Sequence, residues 1–159
     1  MKFLFSDQAV ISIPYRLAIS GLIISLTIPI CLQSIAQIDA EMSRLIAQEI
    51  ASDVKKAIET ASYRYPGESR LLSIGSRLNL LNIGLKIIIG DRPGGENSHI
   101  ITCRDGTGWQ STALVELGGS VAGICSPHYS SVILEKGSRD VLVEHSLTKF
   151  GDMIMVVPT

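Results

Sequence analysis

The hydropathy pattern begins with a long uncharged stretch near the N-terminus. Leu17 to Ile38, "LAISGLIISLTIPICLQSIAQI", contain no Asp, Glu, Lys or Arg. As an α-helix, these roughly 22 residues would rise about 33 Å, and the hydrocarbon core of a bilayer is about 30 Å thick. The stretch is therefore predicted to be a transmembrane helix or the core helix of an assembly. The side chains expected to meet lipid or neighbouring helices are those of Leu17, Ile19, Leu22, Ile23, Leu26 and Pro29.

Pro29 lies inside this stretch and lacks the backbone N–H that an α-helix uses. It is predicted to bend or locally melt the helix near Ser25, the residue whose carbonyl loses its donor.

Beyond the uncharged stretch, apolar residues take helical spacing. They recur every three or four positions with charged residues between them, which indicates an amphipathic helix. No Pro or Gly occurs between Gln33 and Tyr63, and Pro66-Gly67 is the next stop signal. The apolar helix is thus predicted to continue directly into the amphipathic one. The stripe consists of Ile38, Met42, Leu45, Ile46, Ile50, Val54, Ala57, Ile58 and Ala61.

After Pro66 the pattern changes to short β-like runs separated by glycine, which favours an antiparallel sheet. The predicted fold class is α+β, with a long N-terminal helix packed on a C-terminal antiparallel β domain. The predicted strands are 70–74, 84–89, 99–104, 110–117, 131–135, 141–147 and 153–157. The predicted segments are a leader (1–16), a transmembrane or filament-core helix (17–38), an amphipathic continuation (39–63) and an extracellular β domain (64–159).

Composition narrows the choice of partners. The chain has 159 residues, with 14 basic side chains against 15 acidic ones and a net charge of −1. No run of Lys or Arg stands out, so nucleic acid is not expected as a partner. Lys2 and Arg16 precede the apolar stretch and Asp39 follows it, which favours an N-terminus inside the cell and a β domain outside.

Cys103 and Cys125 both lie in the β region. In an exported domain, a Cys103–Cys125 disulfide would add about 3 kcal/mol of stability on the chain-entropy model. Two separate buried thiols are the alternative, and it is preferred if the domain stays in the cytosol.

The sequence contains no clear catalytic or cofactor signature. The "GDRPGGENS" loop lacks the Gly-Lys-Ser/Thr ending of a phosphate-binding loop, so it is predicted to connect two strands. Metal-ligating residue types are present, and His99 and Cys103 lie four apart, but no Cys-x-x-Cys or His-x-x-x-His pair occurs. We therefore expect no enzyme activity, no cofactor and no metal. The residues weighed as zinc ligands are His99, His128, His145, Cys103 and Cys125.

The N-terminal segment "SDQAVISIPYRLAISGLIISL" resembles that of archaeal type IV pilins and pilin-like proteins. The resemblance rests on an acidic residue, an Ala-Val-x-Ser run and a Pro that lead into the apolar helix, at Asp7, Ala9, Val10, Ser12 and Pro14. Gln8 stands where a basic residue is usual in that family.

This resemblance implies cleavage by a prepilin-type peptidase near Gln8 or Ala9. It also implies a helix from Ala9 to Ile38 that is embedded in membrane lipid before assembly. The implied partners are copies of the same chain or other pilin-like subunits, and the implied product is a cell-surface filament.

Three functions follow as hypotheses. The first is a non-catalytic structural subunit of, or accessory protein to, such a filament. The second is a bitopic, membrane-anchored binding module whose extracellular β domain recognises a ligand. The third is a secreted enzyme released from a signal peptide at Ala36, because Ser34-Ile35-Ala36 places small residues where a signal peptidase reads them.

Overall fold

A computed structural model describes residues 7–159, with side chains from Pro14 onward. The chain divides into two compact units, Met1–Asp39 and Ala40–Thr159. One helix, α1 (Asp7–Ser62), begins in the first unit and ends in the second. The predicted continuous helix is confirmed, and its end lies next to the predicted Tyr63.

Some predictions fall outside the described part of the chain. Residues 1–6 of the predicted leader lie outside the described residues. Gln8 and Ala9, the predicted processing positions, lie outside the residues whose side chains are described.

Pro14 and Pro29 both lie within α1, which is assigned as α-helix through both positions. The predicted local melting at Pro29 is therefore wrong. A proline removes one backbone hydrogen bond, and the helix on either side of it keeps its own.

The second unit contains two four-stranded sheets beside the C-terminal part of α1. One sheet has the order β1-β7-β8-β5 and the other β4-β3-β2-β6. The α+β fold class is confirmed, with one difference, because β5 and β8 pair in parallel. The elements after α1 are β1 (Ser69–Leu72), α2 (Gly75–Leu78), β2 (Lys86–Ile89), β3 (Ile100–Arg104), β4 (Gln110–Leu114), β5 (Val121–Cys125), β6 (Val132–Glu135), β7 (Val141–Thr148) and β8 (Gly151–Pro158).

Each predicted strand has a counterpart in these sheets, whereas β5 and α2 were not predicted. The β5 sequence "VAGIC" contains a glycine and directly follows Gly118-Gly119-Ser120, so its pattern is typical of a turn region. It becomes a strand because β8 lies beside it.

The hydrophobic core is shared by α1 and both sheets. Ala47, Ile50, Val54 and Ile58 of α1 are completely buried and belong to the same cluster as side chains of β2, β3, β7 and β8. The predicted apolar stripe is therefore confirmed for this part of the helix.

The prediction is wrong for the N-terminal part of that stripe. Met42 and Leu45 are exposed, and Ser43 is buried in their place. Residues 43, 47, 50 and 54 follow the 3.6-residue period that faces the sheets, and residues 42 and 45 lie on the opposite side of the helix.

Gly90 allows the two sheets to approach each other closely. It has φ +62°, and a Cβ at this position would lie 2.1 Å from the carbonyl oxygen of Ile124 in β5. The next residue, Asp91, donates its backbone N–H to that same oxygen at 3.1 Å. Because β2 pairs with β3, the glycine-rich segment that begins here connects two strands, as predicted.

Candidate anchoring helix

From Pro14 to Ile38, α1 presents an exposed and largely apolar surface. Every side chain from Pro14 to Asp39 is exposed, including the uncharged stretch identified in the sequence. By length and composition, this is a helix able to cross a membrane. A helix that is apolar all round normally lies in a protein core or a bilayer, and no described part of this chain covers it. Leu17, Ile19, Leu22, Ile23 and Leu26 are all exposed here.

Three hydroxyl groups in this segment are hydrogen-bonded within the helix. Each of the three donates to a backbone carbonyl three or four residues earlier. Such back-bonding leaves no hydroxyl proton that needs water, which is the condition for a polar side chain to lie in lipid. The bonds are Ser25 Oγ to Leu22 O (2.9 Å), Thr27 Oγ1 to Ile23 O (2.7 Å) and Ser34 Oγ to Ile30 O (2.9 Å).

In the second unit, Arg44 holds α1 to the β3–β4 turn. Its Nε and Nη2 donate to Oδ2 of Asp105 at 3.0 and 2.8 Å. Nη2 also donates to the Thr107 hydroxyl at 3.0 Å, and the guanidinium carbon lies 5.3 Å from the ring centroid of Trp109. Its Nη1 donates to Glu41 at 2.7 Å. One side chain therefore joins the start of the docked helix to a turn far away in the sequence.

Asp105 uses its second carboxylate oxygen to order the turn itself. Oδ1 accepts hydrogen bonds from the Thr107 hydroxyl (2.6 Å), the Thr107 N–H (2.9 Å) and the Trp109 N–H (3.1 Å). Hydrogen bonds from Thr107 and then from Arg44 hold the pKa of the Asp105 carboxyl well below its usual range, although partial burial opposes the shift. The hydrogen bond to Asp105 likewise raises the pKa of Arg44.

The turn has the sequence "RDGTG", residues 104–108, and this cluster was not identified from the sequence. An Asp that starts a turn with Thr two residues later is a sequence signal for the local bonds. No comparable signal exists for Arg44, because the helix and the turn are brought together only by the fold.

Side chains of α1 also accept hydrogen bonds at both ends of its docked part. The Ser43 hydroxyl accepts a bond from the Asn82 N–H at 2.7 Å, and the Ser62 hydroxyl accepts one from the Gly118 N–H at 2.9 Å. On another face, Arg77 of α2 pairs with Asp53 at 2.8 Å and with Glu49 at 3.2 Å. The part of α1 from Ser43 to Ser62 is thus fixed in the β domain at both ends.

The predicted Cys103–Cys125 disulfide is contradicted, because both residues are free, buried thiols. Cys103 lies on β3, where its Sγ lies 3.6 Å from the carbonyl oxygen of Ala47, whereas Cys125 ends β5 in the other sheet. Burial raises the pKa of the Cys103 thiol to about 11 and also raises that of Cys125. These are inert packing residues, the alternative considered from the sequence.

The candidate metal ligands are dispersed. His145 is buried in β7, where its Nδ1–H donates to the Arg64 carbonyl at 2.7 Å, while His99 is half-buried and His128 exposed. Among the residues that the structure describes, no three His, Cys, Asp or Glu side chains are grouped so that they could hold a metal ion.

Comparison with known proteins gives no match: no family model fits this sequence, and no curated protein or solved structure is significantly similar to it. The function therefore has to be argued from the helix and the β domain themselves.

Proposed function

We propose that this protein is an N-terminally anchored structural subunit of, or accessory protein to, a type IV pilus-like surface filament of an archaeal cell. The observation that supports it most is α1 itself. From Pro14 to Asp39 the helix is largely apolar and exposed on all sides, and the same helix continues into a segment that is buried in a β domain. The resemblance of the N-terminal segment to archaeal pilins supports the choice of filament.

The physical chemistry of such a helix suits both an anchor and an assembly element. In lipid, apolar helices gain no hydrophobic free energy from meeting, so their association depends on close packing. Outside the bilayer, the same surface would be removed from water at about 25 cal/mol per Å² when subunits assemble. Ser20, Gly21 and Ser25 are small residues that permit close approach of a neighbouring helix. In this proposal the β domain faces outward and has no catalytic role.

A second candidate is a bitopic binding module, and the outer face of the β4-β3-β2-β6 sheet favours it. Ile88 lies at the centre of this face, opposite Ile133 on one side and Thr102 on the other. A shallow hollow of about 270 Å³ is lined by Ile88, Thr102 and Arg104, among others. Most of the lining is polar, and it includes both Asp91 and Arg104, which suits a small polar ligand.

The N-terminus of the native protein tests the proposed function directly. Membranes, medium and sheared surface filaments would be separated, and the protein in each fraction characterised by N-terminal sequencing and intact mass. A start near Gln8 or Ala9 in the filament fraction is expected for a processed subunit.

Two other outcomes would contradict filament membership. A start at Met1, confined to membranes, would favour the bitopic binding module. A start at Gln37 in the medium would show that the apolar helix is a signal peptide.

A further inference from the structure

The hollow on the outer face of the β4-β3-β2-β6 sheet lies beside the glycine-rich loop that joins β2 to β3, residues 90–99. It has a volume of about 270 Å³ and is lined by residues of this loop and of β2, β3 and β4. We propose that the hollow binds one hexose unit of a neutral saccharide. This ligand class rests on the candidate function of a bitopic binding module.

The floor of the hollow is partly apolar. Ile88 and Ile100 line it and are half-buried, and Thr102 pairs with Ile88 across the two strands. A sugar ring carries C–H groups on its faces and hydroxyl groups around its edge. An aliphatic floor with polar groups around it suits this division, because the ring face displaces water from the isoleucines while the hydroxyl groups keep their hydrogen bonds.

The polar side chains of the lining offer both donors and acceptors. Arg104 is exposed and can only donate, the Asp91 carboxylate can only accept, and the amides of Asn97 and Gln110 can do both. Oδ1 of Asp91 accepts the Arg92 N–H at 2.8 Å, and Oδ2 has lone pairs for a ligand. A sugar hydroxyl both donates and accepts, so it can pair with each of these groups.

The charges of the lining favour a neutral ligand. Asp91 and Arg104 contribute one negative and one positive charge to the same hollow. An anion attracted by the guanidinium would also be repelled by the carboxylate, and the reverse holds for a cation. A neutral saccharide meets no such repulsion and can bond to both groups.

The loop that forms one wall of the hollow is fixed by backbone hydrogen bonds at both of its ends. At its start, the Gly90 N–H donates to the Ile100 carbonyl at 2.9 Å and the Asp91 N–H to the Ile124 carbonyl at 3.1 Å. Near its end, the Ile124 N–H donates to the carbonyl of Ser98, a buried residue, at 2.8 Å. The wall is therefore preformed, which lowers the entropy cost of binding.

The expected affinity is low. The lining side chains that the structure describes are aliphatic or polar, so stacking on an aromatic ring does not contribute. A hexose unit has about 12 non-hydrogen atoms, and at the binding efficiency of ordinary ligands this corresponds to a Kd on the order of 1 mM.

Methyl NMR of the isoleucine-labelled full chain would measure this binding. The protein would be kept in a phosphocholine detergent, because glycoside detergents carry the sugar headgroups under test. The probes are the methyl glycosides of glucose, galactose and mannose, and inorganic phosphate is the anionic comparison. The Ile88 methyl signal reports on the hollow, and that of Ile133, which pairs with Ile88 but lies outside the lining, is the internal control.

Two pairs of variants on neighbouring strands test the contacts. Thr102→Val replaces a hydroxyl group of the lining by a methyl group, and Thr112→Val makes the same change on the paired residue outside it. Arg104→Gln and Lys86→Gln form the second pair, again with only the first residue in the lining. We expect each lining variant to raise the Kd at least fivefold and each control variant to raise it less than twofold. Circular dichroism would check that every variant is folded.

A shift of the Ile88 methyl signal with at least one glycoside, together with these differences between variants, would support the saccharide site. The absence of a shift at about fifty times the expected Kd would overturn it. A shift with phosphate alone would make the hollow an anion site, and equal weakening by both members of each pair would place the binding elsewhere, so either result would also overturn it.

Failure of the saccharide site is distinguishable from failure of the functions proposed above. The N-terminus of the native protein decides between a filament subunit, a bitopic module and a secreted protein whether or not the glycosides bind. The NMR shifts in turn report on the hollow whatever that N-terminus is.

Discussion

Truncation of Ile50 to alanine tests whether α1 is an integral part of the β domain. Ile50 is completely buried in the shared core. Ile50→Ala removes about three methyl or methylene groups, each worth about 0.8 kcal/mol when buried, and leaves a cavity. We expect the free energy of unfolding to fall by about 3 to 4 kcal/mol, within the range measured for such truncations.

Leu45→Ala is the matched control on the same helix. Leu45 is 59% exposed, and surface truncations usually change stability by no more than about 0.5 kcal/mol. Urea unfolding of the full chain in mild detergent would be followed by fluorescence of Trp109, the single tryptophan, which lies beside Arg44.

The urea midpoints decide this prediction. With a slope of about 1 to 3 kcal/mol per M, the urea midpoint of the Ile50 variant should lie about 1 to 4 M below that of the wild type. Equal midpoints for the two variants would refute the docking of α1 into the core, because Ile50 is completely buried and Leu45 is 59% exposed.

Three further predictions concern the β domain. The pKa of Asp105 is lower in the folded state, so the stability that its carboxylate contributes is complete above the unfolded pKa near 3.9 and is lost as the pH falls below it. Asp105→Asn should lower the free energy of unfolding at pH 7 and should reduce the additional loss of stability between pH 5 and 2. Unchanged urea midpoints would contradict this prediction. Peptide mapping without reduction should find Cys103 and Cys125 as free thiols. A peptide pair linked through these two residues would show that the disulfide forms and would contradict this prediction. Gly90→Ala should lower the free energy of unfolding by about 2 kcal/mol or more, because Gly90 has a positive φ and an added Cβ would clash with the backbone of Ile124. The control is Gly106→Ala, where the added Cβ meets open space. Equal Tm values for the two variants in thermal unfolding would reject the close approach of Gly90 to Ile124.

Hydrophobic patterning alone determined the long helix and most of the strands. An uncharged stretch followed by apolar residues at helical spacing needs no tertiary information to be identified as a helix, since both features are local. The same holds for β2 and β7, whose alternating or continuous apolar residues lie between clear turn signals.

Only the fold decided which apolar residues are buried. Met42 and Leu45 have the composition and spacing of core residues, yet they are exposed because the sheets pack against the side of α1 that carries Ser43 and Ala47. A helical stripe wider than the surface that covers it leaves its margin in solvent or lipid, and the sequence carries no information on the width of that surface.

The cluster around Arg44 and Asp105 could be identified only from the tertiary structure. Arg44 and Asp105 are ordinary surface-type residues in the sequence, and they become one cluster because α1 docks beside the β3–β4 turn. Cys103 and Cys125 fail to pair for the converse reason, since their strands belong to different sheets. Local pattern specifies which elements form, whereas contacts between residues far apart in the chain depend on how all the elements pack together.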